Sequence, residues 1–296
     1  MTPRRTAVAL SGALLLSPPV VLAQSSSQPA RDLVIRGVAV IPMTEPGRIL
    51  RNQTVVIRGD RIAAIGPAGR TTPPAGATVV DGQGQYLIPG LIDSHVHYRS
   101  PSTGPVADTL NRQLNLMYLA TGITTVVHLG NRDGESHVAD LRRRIAAGEL
   151  LGPRILIGHM FRDANATAAD GVRAVETVVE QKYDFIKPYT MVSAEGYRAM
   201  SDEARRRGIR IIGHLPRALG LDTALARGQV MIAHAEEILY NPPFRLLMSD
   251  PPERRPEIDP ARIPEVIAKL VRHGTWITPT LVSYTAITEQ ARDLSA

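Results

Sequence analysis

From Tyr86 onward the sequence keeps one rhythm: an apolar run, a loop, an amphipathic stretch, a glycine and another apolar run, recurring about every 20 to 45 residues. Runs that far apart cannot pair as hairpins, so the pattern specifies parallel strands joined by helical crossovers. The strands fall at residues 91–98, 123–129, 154–159, 184–189, 209–214, 230–234 and 276–281. Helices between them include 108–121, with Leu110, Leu114 and Met117 on one stripe, and 194–207, with Tyr197, Met200 and Ala204. Gly122, Gly208, Gly228 and Gly274 follow helix ends, where a left-handed residue closes the last turn. No GxGxxG follows the first strand and no Walker-type loop occurs, which argues against a nucleotide-binding doubly wound sheet. The expected fold is therefore α/β, a TIM-like (β/α) barrel over residues 87–296, incomplete at about seven strands. Residues 283–295 read as the start of a seventh crossover helix, and closure needs one more strand, so the barrel is expected to be truncated before strand eight.

Ahead of the barrel, residues 32–86 hold short alternating runs separated by Gly and Pro, which predicts a small N-terminal β-sandwich portion with antiparallel strands. Residues 24–31 are a polar linker. Residues 1–23 carry Arg4 and Arg5, then an apolar stretch broken by Pro18 and Pro19, then Val21-Leu22-Ala23, which is the layout of a cleavable signal peptide. A membrane anchor would need about 20 uninterrupted apolar residues. The expectation is a bacterial protein exported to the periplasm or secreted, with no membrane partner after cleavage; the arginine pair is a faint sign of twin-arginine export.

The chain has no cysteine, so disulfides, a lipidated cysteine and thiolate metal sites are excluded, and any metal must be held by His, carboxylate or modified Lys. The formal charge of +6 is modest for 296 residues. The runs Arg142-Arg143-Arg144 and Arg205-Arg206-Arg207 sit late in amphipathic helices, where cations complement the helix end and face water, so no nucleic-acid partner is expected. Of 34 Lys and Arg residues only Lys182, Lys187 and Lys269 are lysine, and Lys187 lies inside an apolar strand.

Four of the eight histidines stand at the C-terminal ends of expected strands, the face on which barrel enzymes place their active sites. His95 and His97 are two apart on one strand and so point the same way. His214 ends the fifth strand and His234 the sixth. A lone histidine there would read as a buried ring satisfied by a backbone carbonyl; four at matching positions point to a metal site. Lys187 ends the fourth strand, between the His95/His97 pair and His214 around the rim. An ammonium there would be costly and would repel a cation. Reaction of the amine with carbon dioxide gives an anionic carbamate able to bridge two metals, a role arginine cannot take. The alternative is a lysine whose stem packs on the barrel and whose amine pairs with Asp184 or another rim carboxylate.

The stretch Leu87-Ile-Pro-Gly-Leu-Ile-Asp-Ser-His-Val-His resembles the first-strand signature of the amidohydrolase superfamily. Through Asp184-Phe-Ile-Lys and Ile232-Ala-His-Ala-Glu-Glu the chain is most similar to its imidazolonepropionase-like and prolidase-like group. The resemblance implies a binuclear site, usually with two Zn2+ ions, although manganese or iron is not excluded by the ligand types. His95 and His97 would hold the more buried ion, Lys187 would bridge as a carbamate, and His214 and His234 would hold the outer ion; a hydroxide between the metals would attack the carbonyl. It implies hydrolysis of an amide C–N bond, dipeptides favoured, with cyclic amides or esters next, a small-molecule partner, and compatibility with a homo-oligomer.

The sequence departs from the family pattern in lacking the aspartate that follows strand eight, the last ligand and general acid/base; neither Asp259 nor Asp293 has the right context to replace it. A catalytically impaired relative that binds metal or ligand without turnover is therefore the competing expectation, since loss of such a group typically costs about 10² to 10⁴ in rate. A metal-free sugar or phosphate barrel would leave the five residues without a common purpose. Tyr189 and Arg217, just beyond ligand positions, are candidate substrate contacts, to a carboxylate in particular. His128, ending the second strand, is a candidate supporting residue behind the ligands. His137, His159 and His273 read as loop, strand end and helix C-terminus.

Overall fold

A computed structural model describes residues 32–100, 104, 106–241, 244 and 258–294; the expected export signal (1–23) and linker (24–31) lie outside the described residues. The chain divides into two compact units, Met1–Pro89 and Gly90–Ala296.

The first unit is one sheet of β1 (Leu33–Val40), β2 (Leu50–Arg58), β3 (Arg61–Pro67), β4 (Thr78–Asp81) and β5 (Tyr86–Leu87). The first three strands pair antiparallel, as expected, but β4 and β5 pair with β1 in parallel. The sheet is therefore mixed. The free edge of β1 is reached after a long connection through Pro73 and Pro74, which delivers β4 in the same direction instead of as a hairpin partner. Val38, Val40 and Val55 form its core.

In the second unit, strands and helices alternate: β6 (Leu91–Val96), α1 (Ala107–Ala120), β7 (Ile123–His128), α2 (Ser136–Ala146), β8 (Arg154–Phe161), α3 (Ala168–Glu180), β9 (Phe185–Pro188), α4 (Ala194–Arg207), β10 (Arg210–Gly213), α5 (Gly220–Ala226), β11 (Gln229–Ala233), α6 (Glu236–Leu239), α7 (Ile263–His273), β12 (Trp276–Thr278) and α8 (Leu281–Leu294). The seven strands are parallel and ordered as in the sequence, from β6 to β12. The hydroxyls of Ser94 on β6 and Thr278 on β12 lie 2.8 Å apart, so the wall curls into a nearly closed, TIM-like barrel. The last strand is shorter than the sequence suggests. Pro279 has no N–H to continue the ladder and Thr280 turns left-handed at φ 53°, so Leu281 opens α8 instead.

Outside the wall, α4 buries Tyr197, Met200 and Ala204 against Val175 and Val178 of α3. Thr167 closes a capping box with Asp170 on α3, Ser193 caps α4, and Gly208 ends α4 at φ 68°. Helix α1 follows its expected stripe only in part: Leu114 packs against the core, but the fully buried positions are different ones. Its buried stripe is Ala107, Asn111 and Asn115, while Leu110 and Met117 are exposed. The reason is polar: Asn111 accepts from Arg99 N and donates to Arg99 O, and Asn115 accepts from the Tyr98 hydroxyl at 2.7 Å. Those bonds clamp the helix to the loop leaving β6, and an apolar stripe could not make them. Among the described residues, no helix is long and apolar enough to cross a membrane.

Candidate metal centre

The C-terminal ends of β6, β9, β10 and β11 bring the histidines together because in a parallel barrel every strand finishes at the same mouth. The ring centroids of His95 and His97 are 5.3 Å apart, those of His95 and His234 4.5 Å, and those of His214 and His234 4.8 Å. Lys187, 1% exposed, lines a cavity of about 280 Å3 together with His97, His214, His234 and Tyr189; Gly130, Asn131, Arg132 and Met160 complete it. The Lys187 amine lies 5.0 Å from the Tyr189 ring centre.

Three of the rings are fixed in one tautomer by their outward nitrogen. His97 Nδ1 meets the Gly130 carbonyl at 2.8 Å, and a carbonyl only accepts, so Nδ1 carries the proton. His214 Nδ1 meets Glu237 Oε1 at 2.6 Å. His234 Nδ1 meets Thr280 Oγ1 at 2.8 Å; that hydroxyl donates its own hydrogen to Pro279 O and so accepts from the ring. With Nδ1 as the donor, the neutral form of each ring keeps on Nε2 the lone pair that a metal takes. His95 differs: its Nδ1 is buried without a partner.

Burial, reinforced by the neighbouring rings and Lys187, holds the pKa of His95 down to about 3. Burial first and His214 second bring His234 to about 4, and burial lowers His97 as well. Burial likewise brings Lys187 down to about 8, against the opposing pull of Glu237 and Glu135. The amine has no carboxylate within 4 Å among the described residues. Asp184 is engaged elsewhere, accepting from Arg142 at 2.7 Å and from Ile157 N at 2.7 Å.

Among the described residues no three His, Asp or Glu side chains are drawn into one closed coordination set. The chemistry of the donors nevertheless fits divalent ions: imidazoles whose Nε2 is left for a metal, an unpartnered His95 Nδ1, a buried amine of lowered basicity and no thiolate. The backbone is strained at the same place. His234 at φ 73° and Thr280 at φ 53° occupy the left-handed region, which is costly for a β-branched residue.

Of the other expected residues, some reach this cavity and some do not. Tyr189 lines the cavity, with its ring 4.6 Å from that of His214. Arg217 does not line it; its guanidinium lies over the Tyr240 ring at 5.5 Å. His128 is fully buried behind the site, its ring 6.0 Å from that of His97, and Nδ1 accepts from Tyr98 N. Asp259 caps the turn at Pro260, and Asp293 lies in α8. Four residues escaped the sequence pattern. Glu135 accepts from His159 at 2.9 Å and from Met160 N at 3.1 Å, pinning the loop that carries Gly130. Glu237 binds His214, Thr280 binds His234, and Arg132 lines the cavity. Only Glu237 left a trace in the sequence, three positions after His234 in His-Ala-Glu-Glu.

Several solved structures share this architecture. A prolidase candidate from Bifidobacterium longum superposes with a TM-score of 0.57 at 27% identity, covering 72% of this chain and 58% of its own. A Xaa-Pro dipeptidase with methionine in its active site gives 0.66 at 18% identity, covering 88% and 70%, a likeness of fold alone. In sequence, adenine deaminase 2 of Bradyrhizobium sp. (strain ORS 278) is 43% identical over 77 residues, 26% of this chain and 13% of that protein. The chain thus spans less than two thirds of the prolidase candidate and a small part of the deaminase. The model of the amidohydrolase family matches residues 86–295, most of the chain and the whole barrel with its cluster of strand-end histidines, and the chain belongs to that family.

Proposed function

We propose that this barrel hydrolyses amide C–N bonds with the help of divalent metal, dipeptides being the favoured substrates. The observation that carries it is the set of three tautomer-fixed imidazoles sharing one cavity with a buried, unpaired Lys187 amine. His95 and His97 would hold one ion and His214 and His234 the other, with Lys187 between them once carbon dioxide has added to its neutral amine and a proton has left. Zinc suits these donors best. When bound, such ions acidify water towards neutral pH and polarise a carbonyl.

The chain's own groups do the rest. Tyr189 presents a hydroxyl to the substrate, and Arg132, which has no carboxylate partner among the described residues, offers a fork to a substrate carboxylate. Gly130, Asn131 and Met160 complete the cavity lining. Resemblance to a prolidase candidate at 27% identity supports the dipeptide assignment; the deaminase similarity supports C–N hydrolysis more broadly.

A second reading, metal binding with little turnover, is favoured by the absence of any Asp or Glu from the cavity lining among the described residues. Metal analysis after gentle purification, joined to a dipeptide hydrolysis panel, separates the cases. About two equivalents of metal with turnover supports hydrolysis; metal without turnover supports the second reading; no metal overturns both.

A further inference from the structure

We propose that Glu237 is a positioning residue that sets the tautomer and direction of the His214 ring, and thereby the strength of metal binding at the His214/His234 end of the cavity. The inference deepens the proposed function and rests on it for the metal, but not for the ring.

Glu237 is 2% exposed and collects three donors from two strand ends. Oε1 accepts from His214 Nδ1 at 2.6 Å and from Thr190 Oγ1 at 2.7 Å, and Oε2 accepts from Leu215 N at 3.3 Å. Thr190 Oγ1 is itself 2.9 Å from His214 Nδ1, so hydroxyl, ring and carboxylate form one closed triangle. No Lys or Arg lies within 4 Å of this carboxylate among the described residues. A buried carboxylate without a cation is costly, and filling the space with an apolar side chain would be cheaper if packing were its only purpose.

The donors explain the residue type. Acceptors are needed on both oxygens, which a carboxylate has and an amide lacks: glutamine would turn its NH2 either on Leu215 N–H or on the ring. Because His214 Nδ1 is held as the donor, Nε2 retains its lone pair on the opposite side of the ring. The carboxylate is carried by α6, immediately after His234, so one short helix sets the ring from β10 while adjoining the ring from β11.

Two measurements test this on the full chain. Long-range 15N–1H correlation spectra of the metal-free protein, with His214 assigned through His214→Asn, should show Nδ1 protonated and Nε2 bare; in Glu237→Ala the His214 signals should shift to the mixture of tautomers of an untethered ring. Zinc competition against a chromophoric chelator should show Glu237→Ala weakening one of the bound equivalents about 10- to 100-fold, with Glu237→Asp restoring part of the loss and Thr190→Val giving a smaller loss. An Nε2-protonated His214 in the wild type overturns the proposal, as do a Glu237→Ala protein with the wild-type tautomer or one with wild-type zinc affinity for every equivalent. If Glu237→Ala does not fold, the wild-type tautomer and Thr190→Val still decide it. If the wild type binds no zinc, the metal-dependent function fails, while the spectra still judge the hold of Glu237 on His214.

Discussion

His234 and Thr280 both stand in the left-handed region, and their side chains meet at 2.8 Å. The strain persists because His234 N donates to Thr278 O at 2.8 Å and the Thr280 hydroxyl is tied to Pro279 O, which fixes both ends of the contact. Thr280→Ser keeps the hydroxyl and removes the β-branch, and should leave zinc affinity unchanged while stabilising the fold by up to about 1 kcal/mol. Thr280→Val keeps the crowding, loses the tether, and should weaken zinc binding about 10-fold. Chelator competition and denaturant unfolding of both variants measure these outcomes; equal zinc affinity in Ser and Val variants would show that the tether is idle.

Acid stability should depend on His128. Burial first, then the neighbouring His97, His137 and Lys187, push its pKa from the ordinary 6.5 down to about 3. Between those values the unfolded chain takes up a proton that the folded chain refuses, so stability declines as pH falls through that window, by as much as about 1.4 kcal/mol per pH unit for this ring. Urea unfolding of metal-free protein at about pH 7 and about pH 5 should show the loss, and His128→Asn should make it shallower. An unchanged slope in the variant would assign the acid sensitivity to other groups.

Helices α3 and α4 cross where Gly171 faces Gly196. A Cβ at position 171 would lie 2.3 Å from Gly196 O and 2.8 Å from Met200 N, backbone atoms that cannot swing away. Alanine favours helices over glycine by about 1 kcal/mol, yet Gly171→Ala should destabilise by about 1 to 3 kcal/mol because the helices must part. Thermal and denaturant unfolding of the variant decide between the two effects by their sign.

The contact between Ser94 and Thr278 joins positions 184 residues apart. Ser94→Ala and Thr278→Val should each lower stability by about 1 kcal/mol, and the double variant by less than the sum, since the second change no longer breaks a bond. Strict additivity in that cycle would mean the hydroxyls do not support each other.

The strand and helix pattern was legible because periods of two and of 3.6 are written into short stretches, as in Ile209-Arg-Ile-Ile-Gly and in the Tyr197, Met200, Ala204 stripe. Helix α1 shows where that periodicity stops: of the stripe Leu110, Leu114 and Met117 only Leu114 packs against the core, while Asn111 and Asn115 face inward to serve the backbone of Arg99 and the hydroxyl of Tyr98, partners that helical spacing does not reveal. At the site, His95, His97, His214, His234 and Lys187 announced themselves as polar residues ending apolar runs. Glu135, Arg132 and Thr280 did not, since each lies in a loop whose role depends on what it touches.

By itself the sequence determined which segments are strands, which are helices, and that four histidines and one lysine would end strands pointing to one mouth, because local periodicity and chain direction suffice for that. Tertiary structure alone decided how far the wall curls, through Ser94 and Thr278, and which nitrogen is free on the rings of His97, His214 and His234, through Gly130, Glu237 and Thr280. Those outcomes rest on hydrogen bonds between residues 23 to 184 positions apart, and the local period of a segment does not say which distant residue it will bond.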